Sequence, residues 1–150
     1  MYYRQTVKLK NTDFKTVIAA FHDINFVKFL TSLQPVKIIK WTGIKDGDIA
    51  YFKIWFFGWK KLFVTHKEYK KTDSSLSFID FAENSFPFGI INWSHTHEVR
   101  LENKSVLIID DVTFTHGNKF LGILVYPILI IPIIARKFLY RLYFYKKLFY

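Results

Sequence analysis

Alternating polar and apolar residues open the chain and are followed by helical spacing. The first strand face is apolar apart from one glutamine: Tyr3, Gln5, Val7 and Leu9. Helix-start residues at 11–13 precede apolar positions spaced for a helix: Phe14, Val17, Ile18 and Phe21. A second short helix is predicted around Phe26, Phe29, Leu30 and Leu33, before Pro35. The pattern therefore predicts one half-buried strand and then two short helices.

Six strand-like segments fill the chain from Pro35 to His116. They read VKIIKW, IAYFKIWFF, KKLFVTHKEY, SLSFIDF, INWSHTHEVRL and VLIIDDVTF, with short turns between them. This density of strands and turns is typical of a meandering antiparallel sheet. Residues 118–150 predict a long helix with kinks at Pro127 and Pro132.

We therefore predict a single α+β domain over residues 1–150. A curved antiparallel sheet of about seven strands would surround a long C-terminal helix, with two short helices after the first strand. Such a sheet leaves space between itself and the helix, where ligand pockets commonly lie.

The segment from Ile91 to Phe114 predicts a hairpin with polar groups on its inner face. A two-residue turn at 103–104 would set the pairs Leu101–Val106, Val99–Ile108, His97–Asp110, His95–Val112 and Trp93–Phe114. Directly opposed side chains lie about 5 Å apart, so His97 and Asp110 can share a hydrogen bond. Three roles stay open for this pair: fixing the register, anchoring a ligand's polar group, or acid–base catalysis.

Two of the histidines on this hairpin are spaced so that they could bind a metal ion. His95 and His97 share a strand face and could ligate zinc with Asp80, Asp110 or His66, yet nothing else in the sequence supports a metal. We therefore predict neither a metal nor a cofactor. The other histidines, His22, His66 and His116, are predicted to be structural or solvated.

At this hairpin the chain resembles the START-like (SRPBCC) superfamily, in its polyketide cyclase/dehydrase-like branch. The matching pieces occur in the same order: Phe78-Ile79-Asp80, Pro87-Phe88, Trp93-Ser94-His95-Thr96-His97 and Asp110-Asp111-Val112-Thr113-Phe114. Phe86 departs from the glycine usual before Pro-Phe, and the terminal helix is more hydrophobic than usual.

The resemblance implies the helix-grip fold around an apolar cavity that binds a hydrophobic small molecule or lipid, as a carrier or sensor. It implies these ligand-binding residues: Phe78, Asp80, Trp93, His95, His97, Asp110, Val112 and Phe114. A cyclase- or dehydrase-type enzyme that uses the cavity histidines as acid and base is the alternative; no residue is assigned a catalytic role.

Composition and charge limit the class of protein and the kinds of binding partner that this chain can have. Hydrophobic residues make up 51% and charged residues 23%, which excludes a mainly disordered chain. The absence of cysteine excludes disulfides, thiolate metal sites and cysteine nucleophiles. The formal net charge is +10, and no acidic residue follows Asp111. The basic tail predicts contact with an anionic membrane surface through Arg136, Lys137, Arg141, Lys146 and Lys147, or else a solvated basic helix face.

Residues 120–135 form the most apolar run of the chain. At sixteen uncharged residues it is shorter than the roughly 17–20 that a spanning helix needs. A helix buried on the sheet is favoured, and surface association or spanning stays open. The N-terminus does not have the pattern of a signal peptide, so we expect a cytoplasmic protein that is peripheral to the membrane.

The aromatic residues bear on two further kinds of partner, a nucleic acid and a second copy of the chain. Aromatic residues cluster in apolar runs such as YFKIWFF, where a core role is favoured over base stacking, so no nucleic-acid partner is predicted. Both faces of the strand at 49–57 are apolar, which leaves room for a homodimer through Trp55, Phe56, Phe57 and Trp59.

Overall fold

The structure, a computed structural model, describes residues 1–146, without the side chain of Lys146. The elements run in the order β1 (Tyr2–Lys10), α1 (Phe14–Phe21), α2 (Ile24–Leu30), β2 (Val36–Trp41), β3 (Ile49–Trp55), β4 (Trp59–Lys71), β5 (Ser75–Glu83), β6 (Ile90–Glu102), β7 (Ser105–His116) and α3 (Lys119–Lys146). The predicted α+β helix-grip architecture is confirmed.

One antiparallel sheet holds all seven strands in the order β1-β7-β6-β5-β4-β3-β2. Its long β6–β7 hairpin turns at Asn103 and Lys104, which both have positive φ (46° and 62°), as a two-residue type I′ turn requires. The turn sets the predicted register, so that His97 faces Asp110 and Trp93 faces Phe114. From β2 to β7, each strand pairs with the strand that follows it in the sequence. Strand β1 pairs with β7, the last of these strands.

Aspartates begin the two short helices. Asp13 accepts a hydrogen bond from the Thr16 N–H, and Asp23 accepts one from the Asn25 N–H. Both helices turn their phenylalanines inward, since Phe14, Phe21 and Phe26 are buried. Because such short helices are marginal in isolation, these apolar contacts hold them against the sheet and α3.

Helix α3 continues through Pro127 and Pro132 and packs against β1, β7 and α2. Its inner face buries Leu129, Ile133 and Tyr140. Strand β3 ends at Trp55, short of the predicted Phe57, because Phe57 and Gly58 take up positive φ in the turn to β4.

Candidate functional site

A layer of polar side chains separates two apolar clusters inside the protein. On β6 the two histidines lie between Val99 of one cluster and Trp93 of the other. On β7, Asp110 lies in the same way between Ile108 and Val112. Other elements add polar residues at the same level: Gln5 from β1, His66 from β4, Asp80 from β5 and Arg136 and Tyr140 from α3. Alternation along the strands and helical spacing along α3 thus bring these eight polar groups to one level of the core.

Asp110 is fully buried and is the acceptor at the centre of this layer. Its Oδ2 accepts a hydrogen bond from Gln5 Nε2 at 2.8 Å. Its Oδ1 accepts from the Tyr140 hydroxyl at 3.1 Å and lies 3.0 Å from His95 Nε2. Arg136 Nη1 lies 4.0 Å from the same oxygen. The carboxylate therefore joins β1, β6 and α3, and its charge is met by donors from all three.

A second carboxylate, Asp80, lies beside the histidines and retains 20% side-chain exposure. His97 Nε2 lies 3.1 Å from Asp80 Oδ2, and His66 Nε2 lies 3.0 Å from Oδ1. On its other side, His97 Nδ1 lies 3.2 Å from Asp110 Oδ1. The His97 ring thus bridges the two carboxylates.

The protonation equilibria of the layer are displaced by burial and by these partners. Burial opposes the charged forms of Asp80 and Asp110, but the nearby histidines outweigh it and hold the pKa of both carboxyls well below the usual range. Burial and the charge of His97 lower the pKa of His95 to about 4. Burial also disfavours the charged form of His97, yet the two carboxylates raise its pKa. At neutral pH the layer therefore holds two carboxylates, a neutral His95 and the Arg136 cation.

A cavity of about 340 Å³ lies between the sheet, α2 and α3, and the polar layer forms part of its wall. The rest of its lining is mainly apolar, with Phe52, Leu62 and Trp93 from the sheet, Leu30 from α2 and Leu129 from α3. Two of the lining residues, Pro35 and Trp55, are exposed and joined by a backbone hydrogen bond of 2.9 Å. They mark the mouth, while His95 and His97 lie at a buried wall.

Five of the eight predicted ligand-binding residues line this cavity: Phe78, Asp80, Trp93, His95 and His97. The other three, Asp110, Val112 and Phe114, are buried but do not line it. Helix α3 packs against β1 and β7, and a role of these three residues in ligand binding stays a prediction.

Two polar residues, Arg136 and His66, are largely buried in the structure. Arg136, assigned to the membrane-facing tail, has only 17% of its side chain exposed and lines the cavity. Its spacing from Leu129, Ile133 and Tyr140 places it on the buried face of α3, a signal that the count of tail charges concealed. His66, predicted to be structural or solvated, is 3% exposed and shares its strand face with the buried Val64.

Gln5 and Tyr140 were missed as members of the site. Gln5 interrupts the otherwise apolar face of β1, and such a polar residue in an apolar row was the available signal. Its amide also donates to the Ile133 carbonyl at 2.7 Å, which ties β1 to α3. The remaining histidines are structural: His22 lies 2.9 Å from the Tyr69 hydroxyl and His116 lies 2.8 Å from the Phe88 carbonyl.

The outer face of α3 carries a row of exposed apolar side chains. Phe120, Leu124, Ile131 and Phe138 are 81%, 68%, 61% and 61% exposed, and they share one side of the helix. Lys137 is half-buried and Arg141 is exposed, whereas Lys147 and the side chain of Lys146 lie outside the described residues. By length and composition alone, Lys119–Tyr145 is a helix that could cross a membrane.

Solved structures with similar folds support this architecture. Norcoclaurine synthase from Thalictrum flavum, in complex with dopamine and hydroxybenzaldehyde, is 13% identical with a TM-score of 0.62, over 93% of this chain and 83% of that chain. A protein from Nitrosospira multiformis is 9% identical with a TM-score of 0.58, over 91% and 93% of the two chains. Ara h 8.0201 is 14% identical with a TM-score of 0.50, over 91% and 95%.

These likenesses concern the backbone. No family model matches the sequence, and no curated protein matches it. The chain has the helix-grip fold of the START-like proteins, so the resemblance drawn from the hairpin motifs is confirmed at the level of the fold.

Proposed function

We propose that the protein binds an amphipathic small molecule, with an apolar body and one polar end, in the cavity between the sheet and α3. The observation that carries this proposal is the cavity of about 340 Å³, with mainly apolar walls and a polar layer at its buried side. This volume lies in the range of small-molecule sites, which combine apolar walls with few polar groups. Enclosure of the apolar body would contribute about 25 cal/mol per Å² removed from water.

The polar end of the ligand would meet His95 and Asp80. With its Nε2 hydrogen on Asp110, neutral His95 offers Nδ1 as an acceptor, and this atom lies 4.0 Å from Asp80 Oδ2. A ligand hydroxyl group can donate its single hydrogen to this nitrogen. Members of the same fold hold small organic molecules, as the norcoclaurine synthase complex does.

Filling the cavity should weaken ligand binding. Ala50 is 2% exposed and lines the cavity, so Ala50→Phe projects a ring into the empty space. We expect about tenfold weaker binding of anilinonaphthalene sulfonate, a loss of about 1.4 kcal/mol, measured by fluorescence titration. Native mass spectrometry of the wild-type protein should show a bound lipid-like molecule that the variant carries at lower occupancy.

Ile49→Phe supplies the matched control, because Ile49 precedes Ala50 on the opposite face of β3 and does not line the cavity. This variant should bind the dye as the wild type does. Equal dye affinity in Ala50→Phe and wild type, with both folded by circular dichroism, would contradict the proposal.

We further propose that the protein works at the surface of an anionic membrane, through the outer face of α3. The exposed row from Phe120 to Phe138 gives an apolar face, and the chain carries a net charge of +10. Anionic lipids are concentrated in the cytoplasmic leaflet, which fits the proposed cytoplasmic location. A lipid taken from this surface would be one source of the cavity's ligand.

Charges placed in the apolar row should abolish this association. We expect the double substitution Leu124→Glu and Ile131→Glu to reduce flotation with phosphatidylserine vesicles by about tenfold or more. Leu33→Glu with Ile39→Glu is the control, since both residues are exposed and neither belongs to α3. Flotation that is equal in both double variants would remove α3 from the membrane contact.

A further inference from the structure

Three side chains with metal-binding atoms meet at the cavity wall. Asp80 of β5 pairs in register with His95 of β6, and His97 follows two residues later on the same face. One ligand atom from each of the three lies within 4.8 Å of the others. All three residues line the cavity, so a position next to these atoms is open to a small molecule.

Each histidine has its second nitrogen placed for support. His95 Nε2 lies 3.0 Å from Asp110 Oδ1, which leaves Nδ1 facing Asp80. His97 Nδ1 lies 3.2 Å from the same oxygen, which leaves Nε2 facing Asp80. A carboxylate that accepts from the outer nitrogens of ligating histidines is the usual support of a metal-bound imidazole, because it fixes the tautomer and the ring orientation. Here one carboxylate, held by Gln5 and Tyr140, serves both rings.

Asp80 is oriented in a similar way by His66. His66 Nδ1 lies 3.1 Å from the Asp48 carbonyl, and its Nε2 lies 3.0 Å from Asp80 Oδ1. His66 thus lies against Oδ1 of Asp80 and leaves Oδ2 on the side of His95 and His97.

The distances suit a first-row transition metal ion. Ligand atoms at about 2.1 Å from a tetrahedral ion lie about 3.4 Å from each other. The separations of Asp80 Oδ2 from His97 Nε2 and from His95 Nδ1, 3.1 and 4.0 Å, lie on either side of this value. Two imidazoles and one carboxylate, with an open position, form the donor set of zinc and non-haem iron centres. The positive charge of Arg136 disfavours a cation at this position. The negative charges of Asp80 and Asp110 counter this effect.

We propose that Asp80, His95 and His97 bind one divalent transition metal ion, with a coordination position directed into the cavity and with Asp110 and His66 as supporting residues. This proposal replaces the expectation of no metal, which was made because the sequence offered no support for one beyond the histidine spacing and the possible further ligands. The site does not depend on the proposed apolar ligand, and an ion there would add a Lewis acid to the polar wall.

Metal binding can be measured on the tag-free, metal-stripped protein. We expect calorimetric titration with Zn²⁺ to give one site per chain, and Co²⁺ to give the visible absorption bands of a four- or five-coordinate ion. His95→Gln and Asp80→Asn should each weaken Zn²⁺ binding by about 100-fold or more, because each removes a ligand and the loss of a supporting residue alone costs about 10–100-fold. His22→Gln and His116→Gln remove histidines outside the site and should leave both signals unchanged.

The wild-type titration decides the proposal even if a substitution in the polar layer unfolds the chain. Folded wild-type protein that gives no Co²⁺ bands would overturn it. Binding that persists in folded His95→Gln and Asp80→Asn, or that is lost in His22→Gln or His116→Gln, would place the ion elsewhere and also overturn it. Dye binding measured without metal tests the apolar cavity separately, so failure of one proposal is distinguishable from failure of the other.

Discussion

Replacing Asp110 by alanine is expected to lower the free energy of unfolding by about 3–5 kcal/mol, enough to unfold many domains of this size. Asp110 is fully buried and accepts hydrogen bonds from Gln5 and Tyr140. Its removal would leave these donors unpaired and would leave Arg136 and His97 without their nearest common anion. Unpaired buried donors cost free energy, and an uncompensated buried charge costs more. Urea denaturation followed by circular dichroism measures the loss.

The next residue supplies the control. Asp111 is on the opposite face of β7 and forms an exposed ion pair of 2.9 Å with Arg4. Surface pairs of this kind contribute about 0–1 kcal/mol, so Asp111→Ala should change the free energy of unfolding by no more than that. Equal losses in the two variants would show that Asp110 is not the central acceptor of the polar layer.

Local sequence rules were sufficient to predict the turn and the residue pairing of the β6–β7 hairpin. Asn103 and Lys104 accept the positive φ of a two-residue turn, and once the turn is placed the alternation of side chains fixes every pair up to Trp93 and Phe114. The same reasoning predicted the order of strands and helices, because each element has its own period and its own start and stop signals. The register brought His97 opposite Asp110, but it could not show that His95 Nε2 is the nitrogen in line with this carboxylate.

Which residues make up the polar layer could not be predicted from the sequence pattern and depends on the tertiary packing. Arg136 was assigned to the surface because it stands in a run of cations, and only the packing of α3 shows that its side chain points inward. His66 and Gln5 come from strands that are far apart in the sheet order, so no local pattern links them to Asp80 or Asp110. The cavity itself depends on the distance between α3 and the sheet, which side-chain packing sets and which no periodicity encodes.

Phe26→Ala is expected to lower the free energy of unfolding by about 3–5 kcal/mol, as for other buried phenylalanines. Phe26 is 1% exposed and stands between α2 and α3, with ring-centroid distances of 5.1 Å to Phe21, 4.8 Å to Tyr143 and 5.5 Å to Phe144. Helix α2 has only seven residues, so its place depends on these contacts more than on its own stability. The same ring lines the cavity, and its loss should also enlarge the space for a ligand. Thermal and urea unfolding give the stability loss.

Phe120→Ala distinguishes the loss of this packing from the loss of a phenylalanine as such. Phe120 is 81% exposed on the outer face of α3, and its truncation should change the free energy of unfolding by less than about 0.5 kcal/mol. If Phe26→Ala lowers the free energy of unfolding by as little as Phe120→Ala, α2 does not hold the cavity closed. The proposal that the cavity encloses its ligand would then lose its support. If the cost is large and a bulkier dye then binds more tightly, α2 is both a structural support of α3 and the wall that limits the size of the ligand.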